Sequence, residues 1–285
     1  MPRVRLPGRE ARAVRLRRIH EGGRPRRPFL LRRKKEEVAK DLPAKIEIDE
    51  WCELSQEQRQ LYGRLQEEVK RLRTALRRGE EVPYTTSILP VLQKLKQICD
   101  HPALVVERQD PVLGRSEKFD WIVEKVAEIT AAGDQVVIFS HYLKMLDLLQ
   151  QMVEAKRLPH MRIDGSTRNR RQLIDGFNRG QSSVALLSLM AAGYGITLTG
   201  ANHVIHADRW WNPAVEDQAT DRVHRIGQEK TVYVYRILVE GTLEERIDKL
   251  LTEKRGLSDR IVGEAAAGAR RWTREELIEI LRPFE

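Results

Sequence analysis

Residues 136–141 read Val136-Val137-Ile138-Phe139-Ser140-His141. Four consecutive large apolar side chains cannot alternate between a core and water, so a strand here must be covered on both faces. The same texture returns at Val184-Ala185-Leu186-Leu187 and at His203-Val204-Ile205-His206. A short strand is predicted at 160–163 and a longer one at Thr231–Leu238. Helical stretches lie between and around these runs, at 117–131, 142–154, 167–178 and about 214–224. Strands joined by helices in this order define an α/β domain, with a parallel sheet and helices on both faces. Sheets of this kind bind ligands beyond the C-terminal ends of their strands. That edge holds Ser140 and His141, the turn Asp164-Gly165-Ser166-Thr167, and the loop from Ser188 to Gly195 that includes Gly193.

Working outward, Lys45–Trp51 alternates Ile46 and Ile48 with Glu47 and Asp49, which predicts a strand. Ser55 caps a helix with Gln58 at its third position, and the helix runs to about Arg78, where Gly79 stops it. A second helix spans about Thr86–Cys99 and ends at Asp100-His101-Pro102. Ahead of these, residues 1–28 hold four prolines and read as mostly irregular, with a short helix around Ala11–Ile19; another short helix closes at Leu42-Pro43. Downstream, helices are predicted at 242–254 and 273–281, the latter capped by Thr273 with Glu276 three residues on. The domains expected are a basic head (1–28), a helical insertion (29–112), an α/β lobe (113–262) and a C-terminal helix (263–285).

Composition narrows the class. Charged residues make up 33% and no apolar run reaches the roughly 18 residues of a membrane span, which predicts a chain that meets no membrane. Cys52 and Cys99 are the only cysteines and have no metal-ligand spacing, so no metal site is expected. The net charge of +9 is concentrated at the head: residues 1–35 carry 14 Lys/Arg against Glu10 and Glu21, so the remainder is net negative. A basic head either touches DNA phosphates or is a solvated end.

The richest chemistry lies in Gln218-Ala219-Thr220-Asp221-Arg222-Val223-His224-Arg225-Ile226-Gly227-Gln228. On a helix, Gln218, Arg222 and Arg225 are spaced i, i+4, i+7, which stacks them on one stripe. Two guanidiniums on a stripe form a forked donor array suited to phosphate oxygens. The competing reading is a solvated amphipathic face. Upstream, Asp208-Arg209-Trp210-Trp211-Asn212-Pro213 joins a strand end to a helix start, with the two tryptophans read as packing anchors.

Taken together, Asp208–Gln228 closely resembles the last motif of the Swi/Snf family. Val136–His141, then Arg162–Thr167 with Arg171 and Asp175–Asn178, and then Ala185–Thr199 are similar to that family's successive second-lobe motifs. Phe29–Lys45 and Leu92–Leu104 resemble its helical insertion, and Gly241–Arg246 its post-motif helix; the likeness covers roughly residues 29–281. The resemblance implies a RecA-like second lobe of an ATP-driven motor that tracks along double-stranded DNA without parting its strands. It implies arginine fingers at Arg222 and Arg225, with Gln218, Gly193, Gly195 and Asp221 lining the ATP cleft. It also implies DNA contacts at Ser140, His141, Arg162, Gly165, Ser166, Thr167, Arg168, Arg171 and Ser188. ATP and Mg²⁺ would be bound mainly by an ATP-binding first lobe, a partner expected as a separate chain or another part of the gene. Localisation follows the source: cytoplasmic and nucleoid-associated if bacterial, nuclear if eukaryotic.

Two departures matter. Leu189 and Met190 stand where the family usually has a Lys or Arg, often preceded by Thr. A phosphate loop needs Gly-Lys, and the sequence has no such dipeptide; its one Asp-Glu, at Asp49-Glu50, is followed by Trp51. The chain by itself is therefore expected to be inactive as an ATPase. A stand-alone binding lobe that holds DNA or a partner is the alternative, with a strand-separating helicase lobe third.

Overall fold

The apolar run at 136–140 is central to a six-stranded parallel sheet. In this computed structural model residues 42–107, 111–191, 195–258 and 272–283 are described, with 253–258 as backbone alone. The helices read at Ala11–Ile19 and ahead of Leu42-Pro43, and Gly193, fall outside the described residues.

The strands are β1 (Lys45–Cys52), β2 (Val136–Ser140), β3 (His160–Ile163), β4 (Val184–Ser188), β5 (His203–His206) and β6 (Val232–Val239). They lie in the order β1-β6-β5-β2-β4-β3, every pair parallel. The chain winds from β2 to β3 and back to β4, then crosses β2 to reach β5 and β6. The direction of winding thus reverses around β2, which places the crevice at the C-terminal ends of β4, β2 and β5.

Both faces are covered, as the unbroken apolar strands require. On one, Ile138, Leu186 and Ile205 pack under α4 (Glu117–Ala131) and α5 (Leu143–Ala155), with Phe119, Ile122 and Leu146 wholly buried. On the other, Phe139, Leu187 and Val204 pack under α6 (Arg170–Asn178) and α7 (Pro213–Thr220) through Phe177 and Ala219. The β4–β5 connection completes this cover with Leu198 and Ala201. Gly200 eases the close approach there, since a Cβ would lie 3.0 Å from the Asn178 backbone and press on it.

A third core joins the insertion helices α1 (Gln56–Arg64), α2 (Gln66–Arg77) and α3 (Leu89–Asp100) to α8 (Leu243–Ser258) and α9 (Arg274–Ile280). Capping boxes start α1 at Ser55 and α9 at Thr273, as the sequence predicts. The single helix expected from Ser55 to Arg78 is broken at Leu65. Gly63 weakens the helix there, and the Leu65 N–H bonds back only three residues, to Tyr62 at 3.2 Å. Gly79, at φ 81°, ends α2 as expected. Residues 84–88 form one π-helical turn ahead of α3.

The strand at 45–52 differs in its placement. The sequence assigns it to the helical insertion, whereas β1 is the edge strand of the main sheet. It pairs with β6 from Lys45 opposite Val232 to Cys52 opposite Val239, and Arg236 bonds Asp49 at 2.6 Å. The sheet therefore takes strands from both sides of the predicted boundary at 112.

Candidate functional site

At the C-terminal edge of the sheet, Asp208 follows β5 and is 1% exposed. Its carboxylate accepts from the Ser140 hydroxyl and from the His141 backbone N–H at 3.0 and 3.1 Å. Ser140 is therefore a buried tie between β2 and the strand-end aspartate. His141 packs against Trp210 with the rings tilted at 41° and their centroids 4.0 Å apart, and burial pushes its imidazole below the usual histidine range. Ser188, opposite Ser140 in the register, is also largely buried.

The turn after β3 is organised by a second aspartate. Asp164 accepts from the Ser166 N–H at 2.9 Å and from its hydroxyl at 2.6 Å, while its own N–H donates to Thr167 Oγ1 at 3.0 Å. The Ser166 bonds and Arg162 hold its carboxyl below the ordinary aspartate range. Gly165, Ser166 and Arg168 are exposed. The helix read from 167 begins three residues later at Arg170, because Asp164 keeps 164–167 in a turn; Arg170 also spans that turn, donating to the Asp164 and Thr167 carbonyls. Arg171 projects into solvent, its side chain 97% exposed. Arg162 instead spends its guanidinium internally, on Asp147 at 2.6 Å, Asp164 at 3.0 Å and Gln150 at 3.1 Å.

Within Gln218–Gln228 the helix is shorter than the expected span of about 214–224. α7 ends at Thr220. Beyond it Asp221 still bonds back four residues to Asp217 and His224 to Thr220, but Arg222 bonds only to Ala219, Val223 to Thr220, and Arg225 two residues back to Val223. The regular helical ladder is thus lost before Arg225, whose N–H closes a tighter turn. The cause is tertiary. The Leu198 N–H donates to the Arg222 carbonyl at 2.8 Å, and the Gln228 amide donates to Ala201 at 2.7 Å and Thr199 at 3.3 Å. His224 bonds the Pro43 carbonyl at 2.8 Å, and Gly227 takes φ 99°. Gln218, Asp221 and Arg225 are exposed and Arg222 is half-buried. Gly195, at φ 61°, leads directly into the Ile196–Leu198 stretch that braces this turn. The Leu198–Arg222 bond joins the stretch that follows Gly195 to the turn that carries Asp221, Arg222 and Arg225. Ser140, His141, Ser166, Thr167 and Ser188 stand together at the sheet edge.

Several residues that build the site carry no role in the sequence reading. Arg209, 3% exposed, pairs with Glu216 of α7 and with Asp248 of α8 at 2.6 Å. Glu216 also accepts from the Trp210 N–H at 2.6 Å, and burial raises its carboxyl. His206 is buried against Thr220 at 2.9 Å, and burial lowers its imidazole to about 3, so it is neutral. Lys96 of α3 reaches the Arg209 carbonyl. Its signal was present in the sequence, as a lysine four residues after Leu92 and three before Cys99 on an otherwise apolar stripe. Leu189 turns into the core, whereas Met190 is 61% exposed at the edge.

A fully parallel sheet wound about β2, covered on both faces and joined to a helical insertion, defines an α/β RecA-like lobe. The comparisons identify which one. The helicase conserved C-terminal domain matches residues 117–227, and the SNF2-related domain matches residues 9–104, starting upstream of residue 29 where the sequence resemblance began. The Sulfolobus solfataricus SWI2/SNF2 ATPase C-terminal domain is 34% identical at a TM-score of 0.60, covering 78% of this chain and 91% of that one. The Sulfolobus solfataricus SWI2/SNF2 ATPase core in complex with dsDNA is 38% identical at a TM-score of 0.62, over 82% of this chain and 50% of that one. The Bacillus subtilis protein YwqA is 43% identical over 243 residues, 83% of this chain and 26% of its own length. The chain belongs to the Swi/Snf family, as its C-terminal RecA-like lobe. It spans about a quarter of the length of the first curated relatives it matches. Among the described residues no helix is long and apolar enough to cross a membrane.

Proposed function

We propose that this chain is the second lobe of an ATP-driven translocase on double-stranded DNA, working against a first lobe that binds ATP and Mg²⁺. The observation that carries this reading is the braced turn at 221–228. Its Arg222 carbonyl is held by Leu198, and its Gln228 and His224 side chains are anchored on Ala201 and Pro43, while Arg225 stays exposed and Arg222 half-exposed at its surface. A guanidinium held this way is pre-organised for charge that appears on a phosphoryl group in the transition state, which is where stabilisation accelerates turnover. The forked donors of Arg222 and Arg225 suit the outer oxygens of a nucleotide triphosphate, and the same reading assigns Gln218, Asp221, Gly193 and Gly195 to the cleft. Mg²⁺ and the inner phosphates belong, in this reading, to the first lobe.

Duplex DNA lies along the sheet edge in the same proposal. Gly165, Ser166, Thr167, Arg168 and Arg171 present donors and positive charge to the backbone. Ser140, His141 and Ser188 act from beneath as the frame of the edge, because their side chains are buried or half-buried. Arg162 shapes the turn through Asp164. The test is reconstitution: the chain is mixed with a Swi/Snf first lobe carrying a phosphate loop, and ATP hydrolysis is followed with and without duplex DNA. The proposal expects turnover only with both lobes present, and stimulated by duplex. Equal turnover by the first lobe alone would refute it.

A further inference from the structure

The helical insertion meets the β5–α7 crossover at one buried ammonium. Lys96 is 1% exposed, yet among the described residues no carboxylate forms an ion pair with it. Asp100 and Glu216 feel its charge only from farther off. Its Nζ donates to the Arg209 carbonyl and stands 4.6 Å from the Trp211 ring centroid, 5.7 Å from Trp210 and 5.9 Å from Tyr142. Lys118 offers the contrast, being equally buried but neutralised by Asp100 and Glu244. A lysine placed here for packing alone would be better replaced by methionine, which fills the same space without desolvating a charge. The ammonium adds a directional bond to a crossover carbonyl and an attraction to three ring faces from one point.

We propose that Lys96 is a positioning residue, tying the crossover Asp208–Trp211 to the insertion and thereby setting where Arg222 and Arg225 stand. The contacts continue without a gap. Arg209 holds Glu216 of α7 and Asp248 of α8, and Glu216 holds the Trp210 N–H. At the other end of α7, Thr220 is fixed on His206, and the turn that follows is fixed on Leu198. α7 spans only eight residues, so both ends are anchored within two turns of each other. The insertion and the finger turn then move as one body. This inference rests on the reading of Arg222 and Arg225 as the residues that reach the nucleotide.

The test uses the full 285-residue chain with Lys96→Met and Lys96→Arg. Methionine leaves no carboxylate stripped of an ion-pair partner, so the variant folds, and peptides covering β2 and β4 serve as internal controls. Hydrogen exchange over 208–228 is expected to speed by at least about tenfold in Lys96→Met, with the control strands unchanged. Lys96→Arg, which keeps charge and donors, brings it back to within about threefold of the original. Unchanged exchange over 208–228, or a uniform rise in every peptide, overturns the proposal. With a first lobe supplied, Lys96→Met lowers kcat while KM for ATP holds, and Lys96→Arg recovers it; loosened exchange with unchanged kcat breaks the link to the fingers. If Arg222→Ala itself leaves kcat intact, the finger reading has failed, and the exchange data still decide whether Lys96 holds the crossover.

Discussion

Lys118→Met isolates the energetics of the joint between insertion and lobe. Lys118 lies on α4, Asp100 ends α3 and Glu244 opens α8, so one ammonium ties three elements. All three side chains are 0% exposed, with Nζ–O distances of 2.9 Å to Asp100 and 2.8 Å to Glu244. Burial alone would lower the lysine's pKa, but the two carboxylates more than reverse that and keep it charged. Methionine fills the volume and leaves two carboxylates without a counter-charge. Breaking a buried pair in this way costs about 3–5 kcal/mol. At about 2–4 °C per kcal/mol for a chain of this size, Tm falls by roughly 6–20 °C. The loss also acquires a sign with pH. Burial already holds the Asp100 carboxyl above the ordinary aspartate range against the pull of Lys118, so losing Lys118 raises it further, the folded state keeps that proton to higher pH, and the deficit grows as pH rises through that window. Each such proton contributes about 1.4 kcal/mol per pH unit. Urea titrations at pH 5 and pH 8 are therefore expected to show a deficit that is clearly larger at pH 8. A variant as stable as the parent, or a deficit of equal size at both pH values, refutes the reasoning.

Two further outcomes concern DNA. Arg168→Ala and Arg171→Ala should each flatten the slope of log affinity against log salt on duplex by about 0.9 per lost phosphate contact, without changing Tm. Arg162→Ala, which strips Asp147, Asp164 and Gln150 of a shared donor, should lower Tm and change the slope little; differential scanning fluorimetry beside the binding titration separates the two. Deleting residues 1–28 removes a strongly basic segment and should flatten the salt slope further, while an unchanged slope would make the head a bystander.

What the sequence revealed was mostly local. The central strands announced themselves because burial on both faces demands unbroken apolar runs, and Ser55, Gly79 and Thr273 marked helix ends through their own backbone chemistry. The placement of β1 was not legible, because alternation predicts a strand and not its partner, and Asp49 meets Arg236 across 187 residues of chain. The end of α7 at Thr220 was hidden for the same reason. No glycine or proline stops a helix before Gly227, and the turn exists because Leu198 takes the Arg222 carbonyl. The residues of the candidate site were nameable from their motifs. Their division of labour was not, since only packing reveals that Ser140 and Arg162 are spent on internal partners while Arg168 and Arg171 face water.

The central claim is that Arg222 and Arg225 complete an ATP site supplied by another lobe. Steady-state hydrolysis by the reassembled motor, at saturating duplex DNA, tests it most directly. Arginine fingers are worth about 10³–10⁵ in turnover, so Arg222→Ala or Arg225→Ala is expected to lower kcat by at least about 10²-fold, with KM for ATP changed far less. Arg→Lys should recover little, because a point charge does not reproduce the fork. If both alanine variants keep near-normal kcat, the turn is a solvated surface and the assignment of this site is wrong.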